Sequence, residues 1–230
     1  MPGMKILALE TSTESGSCAL LLGENTSERR CPPGRPHSET LLPLIRELLA
    51  ESGVKLAQLD AIAFGAGPGA FTGLRVACGV AQGLAVGAGV PVVPVCGLEA
   101  MAATVGAPRV LSLLDARMGE IYAAAYELRD EAYVLNGSIH VVAPEALELP
   151  AGGNWVAAGN ALRAYPRLAE TLQVEGFSLR PEVLPEAAAI ARLAARRPQA
   201  QIDPALAAPL YVRDKVAKTI SERLGEGGRA

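Results

Sequence analysis

The segment from Asp60 to Gly89, DAIAFGAGPGAFTGLRVACGVAQGLAVGAG, constrains the fold of this chain more than any other. Residues Ala61 to Gly65 form a short apolar run with the length of a buried strand. Thr72 to Ala88 has the length and the alanine content of a helix. The chain must therefore turn sharply from a strand into a helix between these two runs.

The turn between this strand and this helix is rich in glycine. Glycine allows backbone conformations and close approaches that a side chain would block, and proline fixes one φ angle. We therefore predict a structural loop built on Gly65, Gly67, Pro68, Gly69 and Gly73. Thr72 is the candidate N-cap of the helix, whose free N–H groups would suit a phosphate or a carboxylate, and Arg75 would add positive charge there.

The same loop was compared with two nucleotide-binding motifs. It lacks the lysine of a Walker loop. Gly65, Gly67 and Ala70 match G-x-G-x-x-A, but the acidic residue expected about 20 residues later in a dinucleotide site is absent. We therefore do not expect a dinucleotide site here.

One side of the predicted helix is nearly free of side chains. Arg75, Gly79, Gly83 and Gly87 recur every fourth residue, which places them along the same side. Each interior glycine costs up to about 1 kcal/mol relative to alanine, so the spacing indicates very close packing there. We expect the chain's own sheet to pack against this side, and a second subunit is the alternative.

A second predicted helix, His37 to Glu51, carries an unusually wide apolar stripe. Its members are Leu41, Leu42, Leu44, Ile45, Leu48 and Leu49. Such a stripe either faces another subunit in part, or belongs to a helix wedged between a sheet and a loop. His37 at its start would cap the helix, contact a partner or face water, and one histidine does not make a metal site. His140 is interpreted as structural.

Composition indicates an ordinary globular protein. Half of the 230 residues are apolar, which is enough for a sizeable core, and the net charge of −3 does not favour nucleic-acid binding over the whole surface. The four cysteines form no C-x-x-C pair, so we expect reduced thiols and a cytoplasmic location. Gln82, Pro91 and Pro94 interrupt the apolar run from Val76 to Leu98, so no membrane span is expected.

The order of predicted elements is similar in the two halves of the chain. The first half adds strands at Lys5–Leu9, Ser17–Leu22, Ser27–Cys31 and Val92–Val95, and a helix at Leu98–Val105. The second half has strands at Arg109–Leu114, Glu120–Glu127, Tyr133–Val142 and Trp155–Ala158, and helices at Pro144–Leu147, Ala161–Leu172 and Pro185–Ala195. This order predicts two similar α/β lobes with a ligand crevice between them. We divide the chain into a lobe over residues 1–105, a smaller lobe over 106–210 and a tail over 211–230.

The connection between the first two strands, ETSTESG, contains several hydroxyl groups beside a carboxylate. Thr11, Ser12 and Thr13 would suit phosphate oxygens or a hydrated cation. Hydroxyl side chains are also common turn formers, and that interpretation stays open for this turn.

Four motifs together resemble the TsaB family, also called YeaZ. They are ETST after the first strand, HSETLLPLI in the first long helix, GPGAFTGLR in the central loop and LLDARMGEIYAAAY in the second half. The resemblance implies the ASKHA fold of actin, hexokinase and Hsp70, in which each of two lobes is a mixed sheet with flanking helices. It also implies a role in making threonylcarbamoyladenosine at position 37 of tRNA. In that family the protein is a non-catalytic subunit that works beside the paralogous transferase TsaD and the ATPase TsaE.

The resemblance also allows the expected absence of a metal site to be checked against a motif of the paralogous family. TsaD-like proteins carry H-x-E-G-H after the strand that matches Val92 to Val95, and its two histidines bind the metal. This chain has Gly97-Leu98-Glu99-Ala100-Met101 there, and glycine or methionine does not replace imidazole on such a cation. No H-E-x-x-H occurs either, so the old glycoprotease label of these families has no zinc motif behind it.

The resemblance implies weak nucleotide binding at most. Thr11, Ser12 and Thr13 match the first phosphate loop of the fold, but Leu114-Asp115-Ala116-Arg117 replaces its glycine-rich second phosphate loop. We therefore expect no tightly bound cofactor, with ATP or ADP at the interface of the complex as the remaining option. Asp115 and Arg117 would pair either with each other or with a partner chain.

The leading hypothesis is a scaffold subunit that stabilises a TsaD-like paralogue through the two long helices of the first lobe. The predicted interface comprises His37, Leu41, Leu42, Ile45, Leu49, Thr72, Arg75, Gly79 and Gly83. Leucines on one helix and absent side chains on the next would permit a close, apolar helix bundle. The free chain would form a homodimer through the same surface, and tRNA would be reached through the complex.

Two other hypotheses remain. An ATP-dependent phosphotransferase of the same architecture would need a carboxylate base and a Mg²⁺ site, for which the candidates are Glu10, Glu14, Glu99 and Asp115. Direct tRNA contact would use exposed basic side chains, either Arg192, Arg196 and Arg197 or Arg213, Lys215 and Lys218.

Overall fold

The first lobe is built on a mixed five-stranded sheet. The computed structural model describes residues 3–212. Its first five strands are β1 (Lys5–Glu10), β2 (Ser17–Leu22), β3 (Asn25–Arg30), β4 (Ala61–Gly67) and β5 (Val92–Cys96). They lie in the order β3-β2-β1-β4-β5, with β1, β2 and β3 antiparallel and with β4 and β5 parallel to β1. Leu7 lies opposite Leu20 of β2 and Ile62 of β4.

The second lobe repeats this plan. Its strands are β6 (Arg109–Arg117), β7 (Glu120–Arg129), β8 (Ala132–Val142), β9 (Val156–Ala158) and β10 (Ser178–Arg180), in the order β10-β9-β6-β7-β8. The first three are antiparallel, and β9 and β10 run parallel to β6. The predicted two-lobed α/β class is therefore confirmed, down to a mixed sheet in each lobe.

Six helices flank the two sheets in residues 3–212. They are α1 (His37–Ser52), α2 (Phe71–Ala88), α3 (Gly97–Val105), α4 (Ala161–Ala164), α5 (Pro166–Val174) and α6 (Ala187–Ala195). The predicted helix over Ala161–Leu172 is divided at Tyr165, because Pro166 has no N–H to continue the helical ladder and its ring restricts the residue before it.

The alternation of side chains along β1 divides the core of the first lobe into two layers. Leu7 and Leu9 face the layer under α1 and α2, whereas Ile6 and Ala8 face α6. α6 therefore packs on the first lobe, although the division of the chain at 106–210 placed it in the second. α3 lies where the lobes meet, because Ala100 packs under α6 and Leu98 packs with β6 and β7.

Among the residues that the structure describes, α2 has the length and apolar composition that a membrane-crossing helix needs. This is weak support for a span, because the core helix of a soluble protein meets the same criterion. Leu74, Ala77, Ala81 and Ala85 of α2 are buried against the first sheet.

Candidate functional site

A cleft of about 540 Å³ separates the two lobes. The first lobe contributes the β1–β2 turn and the start of α2, and the second contributes the β6–β7 turn. Among the residues that line it are Thr11, Ser12, Thr13, His37, Thr72, Gly73, Asp115 and Arg117. The cleft thus brings together the hydroxyl-rich turn and the segment Leu114–Arg117, which are distant in sequence.

The β1–β2 turn is pressed onto the start of α2. The hydroxyl of Thr11 donates to the carbonyl of Gly73 at 2.7 Å, and the N–H of Ala70 donates to the carbonyl of Ser12 at 2.7 Å. A Cβ at Gly73 would lie 1.8 Å from the Thr11 carbonyl oxygen, and one at Gly69 would lie 2.6 Å from Ser12. Both glycines are therefore required by the contact between the turn and the helix.

Thr72 is not the N-cap of α2, contrary to the prediction. The helix begins at Phe71, and Ala70 occupies the N-cap position without a side-chain hydrogen bond. The glycine loop, with Gly67 at φ +120°, carries the chain into the helix so that the N-cap lies two residues before the predicted one. Thr72 is exposed in the first turn and lines the cleft.

Glu10 is a fully buried carboxyl group behind the turn. One oxygen accepts a hydrogen bond from the N–H of Ser12, and the other has no hydrogen-bond partner among the described residues. The free oxygen lies against Gly65, where a Cβ would stand 1.8 Å away. Desolvation raises the pKa of Glu10 above its ordinary value, and the Ser12 hydroxyl opposes the rise. Burial of Glu10 therefore opposes its ionisation.

His37 supports the turn from the side of α1. Its Nε2 donates to the carbonyl of Thr13 at 2.9 Å, and its buried Nδ1 has no partner in residues 3–212. Gly16 gives the ring its space, because a Cβ there would lie 2.7 Å from it. His37 was expected to cap the helix, contact a partner or face water. The structure shows a different role, because its side chain holds the β1–β2 turn.

On the side of the cleft that the second lobe forms, the carboxylate of Asp115 is held by several contacts. It forms an ion pair with Arg117 at 3.3 Å and accepts hydrogen bonds from the Arg117 N–H at 2.9 Å and the Tyr165 hydroxyl at 3.1 Å. Asp115 and Arg117 were expected to pair either with each other or with a partner chain. In the structure they pair with each other. Arg117 and Met118 adopt positive φ angles of 63° and 55°, which side-chain-bearing residues rarely do. Such strain is concentrated at functional sites.

The carboxylate of Glu99, the candidate donor at the start of α3, is paired with an arginine. Arg197 at the end of α6 binds both carboxylate oxygens of Glu99, one of them at 2.9 Å. No group of three or more His, Cys, Asp or Glu side chains in residues 3–212 is placed to hold a metal ion. The four donors named for a Mg²⁺ site are not brought together: Glu10 is buried, Glu99 is paired with Arg197, Asp115 is paired with Arg117, and Glu14 is exposed at the cleft.

The predicted interface residues of α1 divide into core and surface. Leu41 and Ile45 are only 1% and 2% exposed and belong to the core of the first lobe, so they are not interface residues of the folded chain. Leu49 is half-buried against the same core. Leu42 is 43% exposed and is the large hydrophobic side chain that α1 leaves open to solvent.

The glycine side of α2 faces outward, and the expectation that it packs on the chain's own sheet is wrong. Arg75, Gly79, Gly83 and Gly87 are all exposed, and a Cβ at any of these glycines would meet nothing within 4 Å. The alanines on the opposite side make the close approach to the sheet instead. We call the exposed side of α2 together with Leu42 the docking face.

Sequence reasoning missed two residues beside the docking face. Phe71 and Tyr211 are both exposed and lie in ring contact with each other, next to Arg75. The Thr72 signal hides the start of α2 at Phe71, and Tyr211 lies at the beginning of the segment interpreted as a tail. The rarity of aromatic residues in this chain is the signal that would have drawn attention to them.

The structure brings together one of the two basic sets considered for tRNA. Arg192, Arg196 and Arg197 line a groove of about 520 Å³ between α3, α6 and the β7–β8 turn. Arg197 is paired with Glu99, and Arg196 donates to the carbonyl of Glu131 at 3.1 Å. Arg213, Lys215 and Lys218 lie outside the described residues.

Comparison with known proteins yields consistent matches. The family model described as TsaD, tRNA N6-adenosine threonylcarbamoyltransferase, matches residues 32–220. The tRNA threonylcarbamoyladenosine biosynthesis protein TsaB of Escherichia coli K12 is 41% identical over 180 residues, covering 72% of this chain and 75% of the relative. The Haemophilus influenzae protein of the same name is 50% identical over 127 residues, about half of each chain at 53%.

Solved structures agree with the sequence matches. YeaZ from Pseudomonas aeruginosa is 37% identical, with a TM-score of 0.80 over 91% of this chain and 100% of that chain. A second Pseudomonas aeruginosa structure, described as similar to peptidase YEAZ, gives 38% identity and a TM-score of 0.81. The two mixed sheets with their flanking helices are thus the ASKHA-like fold, and the chain belongs to the TsaB, or YeaZ, family.

Proposed function

We propose that this chain is a subunit of the machinery that makes threonylcarbamoyladenosine in tRNA. In this proposal it acts beside a TsaD-like transferase and a TsaE-like ATPase, without catalysing the transfer itself. The names of its Escherichia coli and Haemophilus influenzae relatives support the pathway, because both are tRNA threonylcarbamoyladenosine biosynthesis proteins. The buried thiols support a cytoplasmic location, since Cys18, Cys31 and Cys78 are all free.

The observation that carries the scaffold role is the docking face. A helix whose outer side bears three open glycines allows another helix to approach its backbone closely. Leu42 and Val86, exposed by 43% and 66%, supply apolar contact area on and beside this face. A surface of this composition is typical of the buried centre of a protein–protein interface.

The non-catalytic assignment is supported by the start of α3. Gly97 and Met101 stand where TsaD-like proteins have metal-binding histidines, and the acid between them, Glu99, binds Arg197. The arginine therefore satisfies a carboxylate that would otherwise be available to a cation. In this proposal the paralogue supplies the metal and the reacting groups.

Nucleotide, in this proposal, binds tightly only when the partner completes the cleft. The uncapped start of α2 and the β1–β2 turn offer one wall with N–H and hydroxyl donors. The facing wall offers Asp115, whose negative charge disfavours phosphate, and Arg117 neutralises it. We likewise propose that tRNA is held by the complex, since Arg196 and Arg197 are engaged within this chain.

The replacement Leu42→Arg tests the scaffold role. A charged group placed in an apolar interface should weaken binding to the TsaD-like transferase by at least about thirty-fold, and tRNA modification by the reconstituted proteins should fall with it. Binding is measured by calorimetric titration and modification by nucleoside analysis. Val174→Arg is the matched control, because Val174 is 86% exposed on the second lobe.

Unchanged binding of the Leu42→Arg variant would contradict the scaffold role. Full tRNA modification in the absence of this chain would contradict its place in the pathway. Micromolar binding of Mg-ATP with turnover by the isolated chain would instead favour an ATP-dependent phosphotransferase.

A further inference from the structure

The aromatic residues of this chain are few, and two of them meet at the surface. The sequence contains three phenylalanines, five tyrosines and one tryptophan. All nine lie in the described part of the chain, where Phe71 and Tyr211 are the exposed ones, at 39% and 46%. Their ring centroids are 5.6 Å apart. These two rings thus form an aromatic contact that is open to solvent.

Arg75 is held between these two rings. Its guanidinium carbon lies 3.5 Å from the centroid of Phe71 and 6.0 Å from that of Tyr211, and its Nε donates to the Tyr211 hydroxyl at 3.1 Å. It is the only charged side chain of α2. No carboxylate pairs with it in residues 3–212, so its terminal N–H groups are available to an acceptor from outside.

The segment that carries Tyr211 is fixed to the first lobe at three places. Ile202 and Val92 exchange two backbone hydrogen bonds, and the side chain of Gln82 donates to the carbonyl of Pro204 at 2.8 Å. The N–H of Leu210 donates to the carbonyl of Ala66 at 2.7 Å. Arg75 is therefore oriented before any partner binds, which lowers the entropy lost on association.

A small cavity of about 200 Å³ adjoins the cluster. Its walls include Phe71, Leu74 and Leu210, and the second lobe contributes Ala116. This size and lining suit one aliphatic or aromatic side chain. Arg117, the cation that lines the cavity, is already paired with Asp115, and Arg75 lies behind the two rings that line it. A phosphodiester backbone is bound by several cations, whereas this site has one unpaired cation beside an apolar cavity. Such a site is better suited to a protein carboxylate that lies next to an apolar side chain.

We propose that Phe71, Arg75 and Tyr211 form the energetic centre of partner binding. A protein subunit docked on the α2 face places a carboxylate against Arg75 and an adjacent apolar side chain in the cavity. Tyrosine and arginine in a well-packed cluster are the typical composition of such a centre. The inference rests on the proposed function, because the partner is the TsaD-like transferase.

The test compares Arg75→Gln with Arg163→Gln in binding to the purified transferase. Arg163 is an exposed arginine of α4 in the second lobe and serves as the matched control. Arg75→Gln should weaken binding by about thirty-fold and flatten its dependence on salt, whereas Arg163→Gln should leave both unchanged. Tyr211→Phe, which keeps the ring and removes the hydroxyl, should cost only a few-fold. Unchanged melting curves show that each variant is folded.

A charge exchange makes the assignment specific. Arg75→Glu should abolish binding, and an arginine in place of one carboxylate of the transferase should restore it. The affinity of Arg75→Gln for the transferase could stay within two-fold of that of the unchanged chain while Leu42→Arg abolishes binding. This result would overturn the proposal that Arg75 is at the energetic centre, and it would leave the proposed function intact. Failure of the unchanged chain to bind the transferase would overturn both. Salt-dependent binding of tRNA by the isolated chain that Phe71→Ala removes would overturn the proposal in favour of RNA.

Discussion

Glu10 shows how a residue that looks functional in sequence can be withdrawn from the site by burial. It ends β1, directly before the hydroxyl-rich turn that lines the cleft, where a carboxylate would suit a cation. The fold instead buries it completely over Gly65 and leaves one oxygen without a hydrogen bond. An ionised carboxylate in such a place is strongly disfavoured, which is why burial raises its pKa.

The raised pKa of Glu10 predicts a specific dependence of stability on pH. The folded chain holds this proton more tightly than the unfolded chain, so its contribution is fully present below the unfolded pKa and is lost as pH rises through the folded pKa. Glu10→Gln does not titrate. As pH rises above the unfolded pKa of about 4.5, the free energy of unfolding should therefore fall more for the unchanged chain than for the variant. Urea unfolding of both proteins measures this, and parallel pH profiles would show that Glu10 is not protonated in the fold.

At the scale of elements, α2 has small residues on two of its sides, and only one of these sides is buried. Alanines pack on the sheet, and glycines lie open toward solvent. A stripe of small residues therefore does not reveal by itself which side is buried. The N-terminus of α6 shows the complementary case, because its N–H groups at Ala187 and Ala188 are capped by Ser17 and Glu28 from distant strands.

Gly83→Ala should separate the stability of α2 from its docking. Because the site is open and helical, alanine should raise the free energy of unfolding by about 0.5–1 kcal/mol. The added methyl group would stand in the path of a docked helix and should weaken transferase binding by about ten-fold. Urea unfolding and calorimetric titration measure the two effects. Gly153→Ala, at another open glycine of the second lobe, should leave affinity unchanged, and a Gly83→Ala variant that binds normally would argue against close helix packing.

At the scale of the whole molecule, the chain returns to its first lobe after building the second. α6 packs under β1, and Ile202 pairs with Val92 at the edge of the first sheet. Arg197 then joins α6 to α3, the helix that both lobes share. The docking face, the cleft and the Arg75 cluster are thus held on one framework made from both ends of the described sequence.

If one docking face serves both partners, self-association and transferase binding should compete. The free chain should form a homodimer through α1 and α2, and the transferase should replace one copy. Light scattering during size-exclusion chromatography should show a dimer that Leu42→Arg converts to a monomer. The apparent dissociation constant for the transferase should rise with the concentration of this chain. A stable species with two copies of this chain on one transferase would contradict a shared face.

The sequence by itself determined the two-lobed class, most strand positions, the glycine loop and the family, because periodicity, turn residues and local motifs are properties of adjacent positions. Only the tertiary structure decided which side of α2 is open, that Leu41 and Ile45 belong to the core, and that α6 joins the first lobe. It also brought Tyr211 to Arg75 and Arg197 to Glu99. Burial and pairing depend on which distant surfaces meet, and hydrophobic free energy is gained equally by a helix side that covers a sheet and by one that covers a partner.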